Sequence, residues 1–510
     1  MATIDWSKAL DLVQADRNVR TEFRGDWHQD PWGWPELGFL VTKQPDLVYN
    51  NCSARGSRRV SLLDVPKENW GTRPAVVLDI VDRLTYQALV DHVSVDLIGN
   101  MSADVYGWRL PPTNPTRGIY SHNSKQWSGY RAHLHSLAGW HSVALRTDLV
   151  SFFASIPVPQ VQEAIQDRTS GTKVVKRLCD FLGDFSQTPD RSGIPQRSTA
   201  SSVIANMYLA PLDDVLQHHS TTLPTIFKSR LAHHSFVRWM DDIWLFGPDP
   251  AAARRAQMEL QFAAQSLGLN LNSAKTEVLE GSDVEKQALE IEHSAVDDAI
   301  DTKADYGPLE ELIDRLLENP EKAGRTSVKF AATRMRNNKQ DYRAQDLIQA
   351  ARRMPHAADE LSRLFKQMFT SDSLQDWYLD YAQSDWATHQ WCIAHYGRMF
   401  PSSRPPRKPL REFFADTMRD ANTELTLLAV ASQRLGAWDP VEARAAANDA
   451  HRRAHTPHAR RILALTALSA GETRTKVRRW LAVDEENDAT VKMLEAYGWA
   501  GPKVQKDFAQ

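Results

Sequence analysis

The 510-residue chain has only three cysteines, Cys52, Cys179 and Cys392, widely spaced and with no CxxC pair. That excludes a disulfide framework and a zinc site built on paired cysteines. No run approaches the ~18 apolar residues that a membrane-spanning helix needs. The opening stretch, "MATIDWSKALDLVQADRNVR", carries early charges and no apolar core, so it does not read as a secretory signal. Charge of one sign is lacking too. The 61 Lys and Arg against 64 Asp and Glu leave a formal −3, which does not announce a nucleic-acid binder. Together these absences predict a soluble, cytoplasmic protein with no membrane partner. The length predicts two or three domains.

Against that neutral average, basic charge is locally concentrated. Between Lys322 and Lys366 there are eleven Lys or Arg against four acids (Asp341, Asp346, Asp359, Glu360), a local +7. Such a stretch suits a phosphate-facing surface, or simply a solvated helix face. The first quarter reads as irregular and aromatic, as in "GDWHQDPWGWPELGF", with strand-like pieces "RRVSLLDV" and "PAVVLDIV" following. Trp27, Trp32 and Trp34 are expected to form a packed tryptophan plug rather than a nucleic-acid stack.

From about residue 140 to 280 strands and helices alternate. "HSVALRTDLV" predicts a strand, and "STASSVIANMYLAPLDDVLQHH" a helix with Val203, Ile204, Met207, Leu212, Val215 and Leu216 on one face. From 305 onward, successive amphipathic helices punctuated by Pro and Gly fit a HEAT-like solenoid. The pairs His218–His219 and His233–His234 read as surface or loop residues, because neighbours in a helix or strand point in different directions.

One stretch is harder to explain by packing. "HHSFVRWMDDIWLFGPDP" sets Asp241 and Asp242 between two apolar strands, which predicts a hairpin with the carboxylates at its tip. A buried carboxylate is costly unless paired or metal-bound, and adjacent like charges raise that cost. A third aspartate, Asp148, ends the strand "VALRTD". Three converging carboxylates suit two magnesium ions about 4 Å apart, the arrangement for phosphoryl displacement.

The order of motifs then resembles a reverse transcriptase. Asp148 with Phe153 is similar to motif A. The run Gly193, Ile194, Pro195, Gln196 is similar to motif B. "WMDD" (Trp239 to Asp242) resembles motif C, and "LGLNLNSAK" (Leu267 to Lys275) motif D. Upstream, "VPKENWGTRPAVVLDIVDRLTYQALV" resembles the fingers segment. The resemblance spans residues 55 to 280.

It implies an α+β right-hand polymerase fold of fingers and palm, followed by an all-α HEAT-like helical-repeat domain. The implied division is an N-terminal extension 1–54, fingers 55–140, palm 141–290 and a helical domain 305–510 in place of a thumb. Asp148 and Asp241 would be metal ligands for two Mg2+ ions, with Mn2+ as the alternative. Asp242 would be the second carboxylate of the pair. Lys67 and Arg73 match positions that grip the triphosphate of an incoming dNTP. Phe153 matches the steric gate against a 2′-hydroxyl, Gln196 a residue near the nascent base pair, and Lys275 a proton donor to pyrophosphate. Two departures stand out. Trp239 occupies a position that is usually Tyr, and Arg197 stands where motif B has the Gly of PQG, which lets a template approach closely.

The C-terminal helices and the segment "DVYGWRLPP" look like those of bacterial abortive-infection and related defence-associated reverse transcriptases. That likeness implies a phage-defence polymerase that synthesises DNA without a template, primed from a tyrosine of the protein and assembled as a homo-oligomer. The single-stranded product would then be covalently attached. Tyr49 is the candidate primer, and Arg334, Arg336, Lys339, Arg343, Arg352 and Arg353 the candidate strand-binding residues. The alternatives are a templated reverse transcriptase using a partner non-coding RNA, and an inactive palm serving as a scaffold.

Overall fold

A computed structural model describes residues 4–53, 59–223, 233–290, 293, 296, 297, 299–301 and 305–505. The chain divides into two compact units that interleave along the sequence. One comprises Met1–Gly25, Val48–Ser57 and Asp82–Ser294, the other Asp26–Leu47, Arg58–Val81 and Ala295–Gln510.

Residues 4–53 are not irregular throughout. They form helices α1 (Trp6–Ala9), α2 (Leu12–Glu22), α3 (Glu36–Thr42) and α4 (Pro45–Ser53). Short polar caps start two of them, since Asp5 and Asp11 each accept a backbone N–H of the first turn. Aromatic density masked these helices in the sequence, because the capping signal is spread over few residues.

The first unit is built on a five-stranded sheet in the order β3-β7-β8-β4-β9. Its strands are β3 (Val105–Tyr106), β4 (Val143–Thr147), β7 (Phe236–Trp239), β8 (Asp242–Phe246) and β9 (Glu277–Glu280), while β5 (Thr222–Leu223) and β6 (His233–His234) form a separate two-stranded pair. The β3–β7 pair is parallel and the other pairs are antiparallel. The predicted strand after residue 140 and the Asp-tipped hairpin are therefore present. Helix α5 (Asn123–Trp140) packs on this sheet through Tyr130, Leu134 and Leu137, which join Val237, Trp244 and Phe246 in one core.

The predicted helix from Ser198 onward is two helices, α6 (Thr199–Tyr208) and α7 (Ala210–His219). Ser198 caps the first, and Pro211, which has no N–H to donate, sits in the first turn of the second. Every residue of α6 is buried. After β8, Asp249 accepts the Ala252 N–H at 2.8 Å and Pro250 opens helix α8 (Pro250–Ser266).

The second unit holds the hairpin β1 (Ser61–Pro66) and β2 (Thr72–Val77), helix α3 and the C-terminal helices. The tryptophan cluster packs here on the C-terminal helix Pro457–Ser469. Arg461 lies over Trp34 and Trp32, its guanidinium bridging Asp30 and Glu36, and His458 meets Trp34 edge-on. A buried Arg needs such full pairing, and two carboxylates supply it. Among the described residues no helix is long and apolar enough to cross a membrane.

Candidate active site

The β7–β8 hairpin pairs Trp239 with Asp242, leaving Met240 and Asp241 as its two-residue turn. The first residue of such a turn takes a positive φ, which favours glycine. Met240 takes it instead, at φ +56, a cost on the order of 1–2 kcal/mol. Arg238 holds the turn in place. Its Nη1 donates to the Met240 carbonyl at 2.9 Å and to Asn206 Oδ1 at 3.1 Å, and its fork binds Asp213 at 2.6 and 2.7 Å. Arg238 is fully buried, so this bracket anchors the turn carrying Asp241 to helices α6 and α7. Sequence reasoning passed over Arg238, Asn206 and Asp213. The available signal was a lone Arg inside an apolar strand.

Antiparallel pairing brings the third carboxylate to the same place. Thr147 of β4 pairs with Ile243 of β8, so one further residue along each strand sets Asp148 beside Asp242. The motif D segment is zipped to motif A: Asn272 N–H donates to the Asp148 carbonyl at 2.8 Å, and Val150 N–H to the Asn270 carbonyl at 3.0 Å. Lys275 thereby reaches Asp148, with Nζ 2.6 Å from Oδ2.

The electrostatics of the cluster are those of crowded, desolvated acids. Burial, and then the charges of Asp148 and Asp242, push Asp241 up to about 6. Burial also raises Asp242, against the opposing influence of Arg146 and a hydrogen bond from the Tyr130 hydroxyl at 3.1 Å. Asp148 Oδ1 is buried and accepts no hydrogen bond. Three adjacent carboxylates, one with an orphaned oxygen, fit a hard divalent cation, which takes oxygen ligands and removes the repulsion.

Motifs A and B meet directly. Phe153 lies half-buried in a short helix, and its carbonyl accepts the Ile194 N–H at 3.0 Å. Gly193 sits against that carbonyl at φ +76, where a Cβ would come within 1.9 Å of the oxygen. Only glycine fits. Gln196 is half-buried and Arg197 exposed, and Arg197 keeps a left-handed backbone at φ +58. Arg197 thus holds a backbone conformation that favours glycine while carrying an arginine side chain.

The reverse transcriptase (RNA-dependent DNA polymerase) family matches residues 65–323, just over half of the chain. The chain belongs to this family. It is a nucleotidyltransferase, a DNA polymerase of palm-and-fingers fold with a helical C-terminal region. Reverse transcriptases bind nucleotides and nucleic acid and use divalent metal ions. No curated protein matches this reverse transcriptase.

The other candidate residues are dispersed. Lys67 and Arg73 belong to the second unit, together on the β1–β2 hairpin: Arg73 pairs with Val65, and Lys67 N–H donates to the Gly71 carbonyl at 2.6 Å. Tyr49 is a half-buried residue within helix α4 of the first unit. Of the basic residues, Arg334 pairs with Asp297, Arg343 with Asp314 and Asp346, Arg352 with Asp380 and Arg353 with Glu321. Arg336 is half-buried, and Lys339 ends its helix at φ +54. Five acids thus pair with this patch, and four of them (Asp297, Asp314, Glu321 and Asp380) lie outside the stretch from 322 to 366.

The histidine expectation needs correcting. His233 and His234 do converge, their Nδ1 atoms 3.0 and 2.8 Å from the two oxygens of buried Asp104. A carboxylate between two neighbouring side chains can take one bond on each oxygen, which the rule of alternating directions overlooks. His133 joins this cluster, and burial holds it down to about 4. His218 and His219 lie with Glu259 near the surface, His219 Nε2 being 2.9 Å from Glu259 Oε2.

Proposed function

We propose that this reverse transcriptase acts in anti-phage defence of the abortive-infection type, adding dNTPs without a template to a strand begun on one of its own tyrosines. The observation that carries the catalytic part of this reading is the convergence of Asp148 with the Asp241–Asp242 turn, desolvated and mutually repelling. Asp148 and Asp241 would hold two Mg2+ ions, with Asp242 as the adjoining carboxylate. Those ions, when bound, supply activation of the attacking oxygen and charge neutralisation at the phosphorus.

The chain's own residues divide the remaining work. Tyr130 donates to Asp242 and fixes its orientation. Lys275, already on Asp148 Oδ2, is placed to deliver a proton to departing pyrophosphate. Phe153, fixed by the Gly193 contact, serves as the floor beneath the sugar that excludes a 2′-hydroxyl. Lys67 and Arg73, neighbours on one hairpin, would grip the triphosphate. Gln196 would lie near the new base pair.

Untemplated synthesis is supported by Arg197. An exposed side chain projects from the left-handed position that a template-binding motif keeps bare. Priming from Tyr49 and a homo-oligomeric, HEAT-like C-terminal region are parts of the same reading. A second reading, copying of a partner non-coding RNA, is favoured by the RNA-dependent chemistry in the family's description.

The experiment uses purified protein, Mg2+ and the four dNTPs, with neither primer nor template. Products are resolved on a denaturing gel before and after protease, beside an Asp241→Ala/Asp242→Ala control. DNA that enters the gel freely only after protease, and is absent in the control, is the expected result. Synthesis that requires a co-purifying RNA would replace it with the second reading.

A further inference from the structure

The second unit contains a concave site that the polymerase reaction leaves unused. Around a space of about 580 Å³ stand Arg452, Arg460, Lys476 and Arg479, with His451 and Trp480 between them. No carboxylate lines it. In a chain of net charge −3, four cations facing one hollow with no acid among them is a local reversal of the average.

Two of those charges are balanced from behind. Arg460 pairs with Asp484, and Lys476 with Glu472 at 3.1 Å. Arg452 and Arg479 are exposed, and neither enters an ion pair among the described residues. The uncompensated charge at the mouth is therefore about two, from four cations less two acids, which suits a phosphate group. The surrounding field is felt by His451. Burial first, and then the positive charges of Arg452, Lys476 and Arg460, hold it below its ordinary value.

Shape and polarity agree with the charge. His451 stacks on Trp480, centroids 3.9 Å apart and planes at 16°, giving the hollow a rigid aromatic wall. Thr473 and Thr475 line it as well, at the start of the helix Arg474–Leu481. The Glu472 carboxylate already accepts the Thr473 N–H at 2.9 Å, so the charge of the site comes from its arginines and not from the helix end. The Thr473 side chain makes no capping bond to the first turn of that helix, so its hydroxyl can serve a ligand. A volume of this size accommodates a nucleotide.

We propose that this hollow is a binding site for a phosphate ester, with Arg452 and Arg479 as the principal contacts and the His451–Trp480 wall beside them. The ligand is a nucleotide phosphate, either of a free nucleoside triphosphate or of a short single strand. The site lies outside the palm, so it does not depend on the templated or untemplated reading.

The test measures binding by the full chain in EDTA, which suppresses metal-dependent binding at the palm. The probes are dTTP and a 5′-phosphorylated oligo-dT of eight nucleotides. Arg452→Ala/Arg479→Ala is compared with the wild type and with Arg254→Ala/Arg255→Ala, which removes the same charge from exposed positions elsewhere. The first variant is expected to lose at least tenfold in affinity for one probe or both, with an unchanged melting curve, while the second loses less than twofold. Loss for dTTP alone assigns a free nucleotide, and loss for the oligonucleotide alone assigns a strand. Equal affinity of wild type and first variant for both probes, equal loss in the two variants, or no binding by the wild type overturns the proposal. Arg479→Lys provides a check on folding, since it keeps the charge and should recover part of the binding.

Discussion

The Tyr130 hydroxyl donates to Oδ2 of Asp242 at 3.1 Å, from a ring that is almost wholly buried between helix α5 and the sheet. Burial and the Asp242 charge keep that phenol protonated, so it is always a donor. The bond favours ionised Asp242, while burial opposes it. Tyr130→Phe should therefore raise Asp242 further and move the acid limb of the pH–rate profile to higher pH. A hydrogen bond to a charged group is worth roughly 1.5–3 kcal/mol, so kcat should fall by about tenfold or more. A pH profile of dNTP incorporation checks this, since loss of packing alone would lower the rate without moving the limb.

Asp241 titrates near 6 in the fold against an ordinary 3.8. A raised carboxylate pKa means the folded state holds its proton more tightly. Stability is thus lost as pH rises from about 4 to about 6, and the loss is complete above that. Asp241→Asn should be more stable than wild type at pH 7.5, by on the order of 1–3 kcal/mol for a shift of this size. The gain should vanish near pH 4. Added Mg2+ or Mn2+ should raise the melting temperature of the wild type and leave the variant nearly unchanged. Thermal melts at the two pH values, with and without metal, decide it.

Arg238 is the buried cation under the Asp241 turn, and its fork compensates Asp213. Arg238→Met strands that carboxylate and frees the Met240 carbonyl, so it should cost about 3–5 kcal/mol. Adding Asp213→Asn should recover part of the loss. Denaturant titration of the single and double variants measures the coupling.

Gly193→Ala drives a Cβ into the Phe153 carbonyl at a position where φ is +76. Backbone strain alone should cost about 1–3 kcal/mol, and the clash more. Activity should fall beyond what the loss of folded protein explains, because Phe153 must move. Activity normalised to the folded fraction separates the two effects.

Arg197→Gly relieves a left-handed arginine, a gain of roughly 1 kcal/mol offset in part by the greater chain entropy of glycine. Stability should change little. If Arg197 obstructs a template, extension of a primed DNA or RNA template should increase while primer-free synthesis does not. Equal template use by wild type and variant would remove Arg197 as the obstruction.

The linear motifs made the three candidate carboxylates legible because each is local. Asp148 follows one strand and Asp241 comes just after another, and short apolar runs mark both strands. The order of motifs, together with the family match, carried the assignment to a reverse transcriptase. Sequence by itself also placed Gly193 in motif B and flagged Arg197 as a departure, while the structure showed why a side chain has no room at Gly193.

What bound these pieces into a site was pairing between distant residues, which no local pattern encodes. The β4–β8 register set Asp148 beside Asp242, and a buried arginine reaching Asp213 and Asn206 fixed the turn between them. Helices of the N-terminal 53 residues were hidden by their aromatic content, and Pro211 divided what periodicity joined. The charged stretch from 322 to 366 looked basic only because its acids, such as Asp297 and Asp380, lie outside it in sequence. The hollow around Trp480 gathers cations from three short segments. Charge balance and burial are properties of neighbours in space, and only the tertiary structure decides who those neighbours are.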